Sequence, residues 1–136
     1  MLDLSPAAQT TAGIVMLAAI TVAFGGHFLT KVVRGHVPAT DFQVSFFRAG
    51  HAHAGVLIIL GLICVLFAET TSLPGGWQWL ARSGVLVAAI LMPAGFFLSA
   101  AGAGRTEPNR LIVLLWVGAT FLVAGLATLG IGLLIS

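Results

Sequence analysis

Charge is nearly missing from this sequence. Six Lys and Arg and four Asp and Glu make up 7% of the 136 residues, against about 25% in an ordinary soluble domain, and that scarcity excludes a water-soluble fold. Tyrosine is absent, and the aromatic residues are nine Phe and three Trp. The lone cysteine, Cys64, lies inside an apolar run with no second cysteine to pair with, so it reads as a small apolar filler. The basic residues are scattered singly, so the net charge of +2 and the pI near 9.5 do not describe a nucleic-acid-binding surface. Met1 to Gln9 holds Asp3 and no Lys or Arg. That stretch lacks the basic n-region of a secretory signal, and the first apolar segment is expected to stay in the mature chain.

What is abundant is apolar residue in long runs: 59% of the chain is hydrophobic, with 17 Gly among the rest. A bilayer core of about 30 Å needs roughly 20 mainly apolar residues in a helix rising about 1.5 Å per residue. Four segments meet this test: Ala12 to Leu29, Ala49 to Ala68, Leu80 to Ala103 and Leu111 to Ile135. The length allows one domain, residues 1–136. Ser5-Pro6 supplies an N-cap and a proline at the first helical position. Thr40-Asp41-Phe42-Gln43 has the form of a capping box just after Pro38, so the second helix starts well before its apolar run. Phe42, Phe46 and Phe47 then form an aromatic entry turn at headgroup level. Pro93 interrupts the hydrogen bonding of the third span and is expected to kink it.

Orientation is read from Lys and Arg, which are in excess on the cytoplasmic side. Lys31, Arg34 and Arg48 flank the first loop and Arg105 and Arg110 the third, while the opposite side has only Arg82. Both termini and the Pro74-Gly75-Gly76 loop are therefore expected outside, with Trp77 and Trp79 at the outer interface, in the plasma (inner) membrane of a bacterium. Short connections predict an all-α, up-down-up-down bundle of four transmembrane helices. In the last helix Gly118, Gly125 and Gly132 recur every seven residues, and Ala124, Thr128 and Gly132 every four. Such rows let another backbone approach closely, either within the chain or in a homo-oligomer or larger membrane complex. Association through this glycine face is the expectation.

Ionisable groups inside a span cost several kcal/mol and tend to mark function. His27, Arg48, His51 and His53 qualify, whereas His36, between Gly35 and Val37, reads as a solvated loop residue and Glu69 as solvated at a helix end. At about 100° per residue, His51 and His53 point roughly 200° apart and cannot share an ion on a regular helix. His51 falls on a face with Arg48, Ala54, Gly55 and Glu69, expected to look inward. His53 falls with Phe42, Phe46, Leu57, Leu60 and Cys64, a face suited to lipid, a partner subunit or a flat apolar cofactor. His27 precedes Lys31 by four residues and His51 follows Arg48 by three, so both sit about one turn inside the same interface. A site of His27, Arg48 and His51, closed by Glu107 or Asn109 near Ser99, is the sharpest constellation, with His27 and His51 as candidate metal ligands. Imidazole suits copper, iron, zinc or haem, and the same groups would hold a polar head group.

The segment Arg48-Ala49-Gly50-His51-Ala52-His53-Ala54-Gly55 resembles the H-x-H helix starts of haem–copper oxidase catalytic subunits and their nitric oxide reductase relatives. That resemblance implies haem as a cofactor with His51 or His53 as axial ligand. A weaker one is to the four-helix membrane glutathione-transferase superfamily, whose second helix begins with an Arg- and His-bearing segment; where that family has Asn and Glu, this chain has Ala54, Gly55 and aliphatics. Three classes of function stay open: a cytoplasmic-side histidine site for haem, metal or a head group, an accessory subunit of a membrane complex, and an enzyme acting on a lipidic molecule.

Overall fold

The computed structural model describes residues 4–136; Asp3 and the residues before it lie outside them. Among the described residues there are four long helices: α1 (Pro6–Val33), α2 (Asp41–Ala68), α3 (Gly75–Ser99) and α4 (Val113–Ile135), the last preceded by a single 3-10 turn at Arg110–Ile112. Each is long and apolar enough to cross a membrane. The helix starts follow from local chemistry. The Ser5 side chain accepts from the Ala8 amide ahead of Pro6, and Thr40 and Gln43 form a reciprocal capping box. Both satisfy amides that the first helical turn leaves without partners. The third helix ends at Ser99, short of the expected Ala103, because the chain turns through Gly102 and Gly104 at positive φ. It runs unbroken through Pro93.

Successive helices are antiparallel, as contacts at both ends show. Ser5 meets Glu69 while Phe28 meets Phe47; Glu69 meets Arg82 while Phe46 meets Phe96. Gly125 meets Gly84 while Leu115 meets Gly95. Lys31, Arg34, Arg48, Arg105 and Arg110 therefore collect at one end, hereafter the basic end, and Arg82, Trp77 and Trp79 at the other.

The four helices do not form a closed bundle. The buried core is Leu57, Cys64, Ala68, Ala81, Val85, Ala88, Met92 and Leu129, drawn from α2, α3 and α4 alone. Helix α3 lies in the middle, with α2 and α4 packed along it, and α1 lies against α2 only. None of the most apolar 18-residue stretch of α1 is buried, so that helix adds area but little core. Cys64 is the filler expected, buried among these side chains.

The glycine row of α4 corrects the expected interface. A Cβ on Gly118 would meet Met92 at 2.7 Å, on Gly125 the Gly84 Cα at 3.1 Å, and on Gly132 the Leu73 side chain at 2.7 Å. All three glycines face α3 and the loop before it. The row is spent on packing within the chain, where missing side chains let two backbones touch, and the face is closed to a second copy.

Candidate functional site

The polar residues of the spans converge on the basic end of α2. Gly50 faces α3, where a Cβ would come within 2.9 Å of Phe97 and 3.0 Å of Phe96. That contact rotates the next residue, His51, toward α1. There the imidazole lies over two glycines: a Cβ on Gly25 would stand 3.2 Å from His51 Nδ1, and one on Gly26 3.5 Å from Nε2. The pair Gly25-Gly26 makes a flat seat on α1 that a larger residue would fill. Beside it, Gly26, Leu29, Thr30 and Val33 of α1 and Arg48 and His51 of α2 line an open groove of about 420 Å³. The Thr30 hydroxyl donates to the Gly26 carbonyl at 2.8 Å, which leaves its oxygen able to act only as an acceptor. Arg48 is exposed, and the only ion pair among the described residues is Arg82–Glu69.

His27 shares the level of His51 but not its face. It follows Gly26 by about 100° of helix rotation, and it is exposed. Among the described residues no group of three or more His, Cys, Asp or Glu is placed to hold a metal ion. The residues expected to close the site belong to another part of the fold. Asn109 donates to the Leu98 carbonyl at 2.9 Å, accepts from the Leu111 amide at 2.8 Å and gives its own amide to Ser99. It fastens α3 to the start of α4. Ser99 is buried there and Glu107 is exposed; none of the three lines the α1–α2 groove. His36 is exposed after α1, as its surroundings implied.

His53 reverses the reading of its face. Its Nδ1 lies 2.8 Å from the Ala49 carbonyl, and because a carbonyl only accepts, the proton is on Nδ1. The ring packs on Phe96 with centroids 5.0 Å apart. Phe46 meets the same Phe96 at 5.4 Å, and Leu57 and Cys64 are buried. The face carrying Phe42, Phe46, Leu57 and Cys64 is thus the seam with α3. The wall expected for a flat cofactor is occupied by Phe96. Composition pointed the other way because aromatic rings serve core and lipid equally well.

A second polar cluster, at the opposite end, was missed. Glu69 accepts from the Ser5 amide at 2.8 Å through one oxygen and from Arg82 at 3.1 Å through the other. It is not solvated: its side chain is 14% exposed and that of Arg82 19%. Ser5, through its side chain and amide, and the adjacent Arg82 guanidinium hold the Glu69 carboxyl below the usual carboxylate range. The signal available in sequence was that Arg82 is the lone Lys or Arg expected at its end of the helices, where Glu69 directly follows the second apolar run. The chain matches no family model, no curated protein and no solved structure.

Proposed function

We propose that this chain is an integral protein of a bacterial plasma (inner) membrane, its basic end in the cytoplasm, and that the α1–α2 groove there binds the polar head group of an anionic membrane amphiphile. The observation that carries this reading is the pairing of Arg48 and His51 on one wall of a groove whose other wall is apolar apart from Thr30. Arg48 lies about 10 Å along α2 from Asp41 at 1.5 Å per residue. A cation at that depth, with no carboxylate partner among the described residues, is best compensated by a lipid phosphate. His51 adds a ring nitrogen that bonds a phosphate or hydroxyl, and the aliphatic residues Leu29 and Val33 accept the upper part of a chain.

The test is native mass spectrometry of the purified protein with phosphatidylglycerol and phosphatidylethanolamine. Phosphatidylglycerol should be retained preferentially. Arg48→Gln should weaken that preference about fivefold, the equivalent of one juxtamembrane charge worth about 1 kcal/mol, and His51→Ala should weaken it further. An absorption spectrum and metal analysis of the same sample separate the other readings. Stoichiometric haem, copper, iron or zinc, lost on changing His51 or His27 to Ala, would replace the head-group site by a cofactor site. Neither a lipid preference nor a cofactor would leave the accessory-subunit reading.

A further inference from the structure

A crevice on the other flank of α1 is built differently. Helix α1 does not pack on α3, and the space between them, floored by α2, measures about 340 Å³. It exists because one alanine from each helix, Ala18, Ala54 and Ala89, faces it. Beyond each of its ends a three-residue bridge ties α1, α2 and α3 together. Toward the basic end Phe28 meets Phe47 edge to face and Phe47 stacks on Phe97, with ring centroids 5.5 Å apart at each step. At the opposite end Ser5, Glu69 and Arg82 are joined through the two oxygens of one carboxylate. Between these bridges the crevice opens sideways, toward the apolar surroundings of the helices.

Among the lining residues Thr21 alone has a polar side chain, and Pro93 adds a freed backbone acceptor. Pro93, in the wall, has no N–H, so the Ala89 carbonyl one turn earlier, also in the wall, loses its helical donor. Thr21 of α1 has its hydroxyl proton committed to the Ala18 carbonyl at 2.6 Å, and offers only lone pairs. No charged residue lines the space. We propose that this crevice binds a membrane-dissolved molecule with an apolar body and a hydroxyl donor, which bonds to the Ala89 carbonyl. Discrimination follows from the surroundings. A hydrocarbon tail fills the space but leaves the carbonyl unpaired where no water reaches it, whereas an alcohol or phenol satisfies it.

The proposal is tested with hexadecanol carrying a mid-chain diazirine, and with the methyl ether of the same compound, added to the protein in detergent or nanodiscs, photolysed and mapped by mass spectrometry. The alcohol should label peptides covering 14–22 and 86–93, and do so about tenfold more than the ether. Pro93→Ala restores a backbone donor for Ala89 and should bring the alcohol down to the level of the ether. Ala54→Leu fills the floor and should reduce alcohol labelling at least about fivefold. Should Ala54→Leu fail to fold, the comparison of alcohol and ether in the unmodified protein and in Pro93→Ala decides alone. Equal labelling by the two compounds in the unmodified protein, or label spread evenly over the exposed faces of all four helices, overturns the proposal.

Discussion

Gly84 of α3 and Gly125 of α4 face each other so closely that a Cβ on the first would lie 2.9 Å from the Cα of the second. Around Gly125 the nearest atoms are all backbone, the Gly84 Cα and the Val85 amide among them, so nothing there can swing aside. The contact sits midway along the most extensive helix pair of the fold, and it sets how near α4 comes to the core.

Gly125→Ala should therefore destabilise the protein by about 1–3 kcal/mol, the usual range for overpacking, and Gly125→Leu should prevent α4 from docking. Gly130 is the control, since nothing lies within 4 Å of its Cβ position; Gly130→Ala should leave the melting temperature unchanged or raise it slightly. Thermal unfolding in a fixed detergent measures both. Equal effects at the two positions would show that the close approach is not what limits stability.

The Ser5–Glu69–Arg82 bridge makes stability depend on pH. Folding lowers the Glu69 pKa, so its bonds stabilise the fold fully above the ordinary carboxylate range and are lost as pH falls through the lower folded value. Melting temperature should hold steady from neutral pH to about 5 and drop below it. Glu69→Gln should remove that acid dependence and cost about 1–3 kcal/mol at neutral pH by leaving Arg82 without its charge partner. Its Nε is already a buried donor with no partner. An unaltered acid limb in the Gln variant would assign the dependence to other carboxylates.

Membrane orientation is open to direct measurement. Reporter fusions after His36 and Arg105 should report cytoplasm, and fusions at the termini and after Gly76 the opposite side. Moving basic residues is the stronger trial: replacing Arg105 and Arg110 by Gln while adding two Lys beside Pro74 should disturb or invert insertion of α3 and α4, because Lys and Arg in short loops set topology. A cytoplasmic report from either terminus in the unmodified chain would refute the orientation.

Much of this protein was legible in one dimension. Four helices long and apolar enough to cross a membrane, the capping box at Thr40 and Gln43, the Ser5-Pro6 start and the buried Cys64 all follow from hydropathy and from residues a few positions apart. These are local properties: an apolar run and a cap act through the backbone hydrogen bonds of their own turn, and the sequence alone determined them. The match of depth between His27 and His51 was equally visible, because rise per residue is fixed.

What the tertiary structure alone decided is rotation and partner. Hydropathy that is nearly uniform around a helix carries no information about which side meets protein, so the face of α2 bearing Phe46 and His53 was indistinguishable from a lipid face until α3 was placed on it. His51 turns to α1 because Gly50 admits Phe96 and Phe97 on one side and Gly25-Gly26 accept an imidazole on the other, a relation among residues far apart in the chain. The glycine row of α4 likewise promised a close helix contact without saying whose helix. Glu69 reads as a solvated helix-end residue until α1 and α3 bring Ser5 and Arg82 to its two oxygens. Where local patterns leave several packings with the same apolar burial, shape complementarity and the pairing of a few polar atoms choose among them, and those terms exist only once the helices are together.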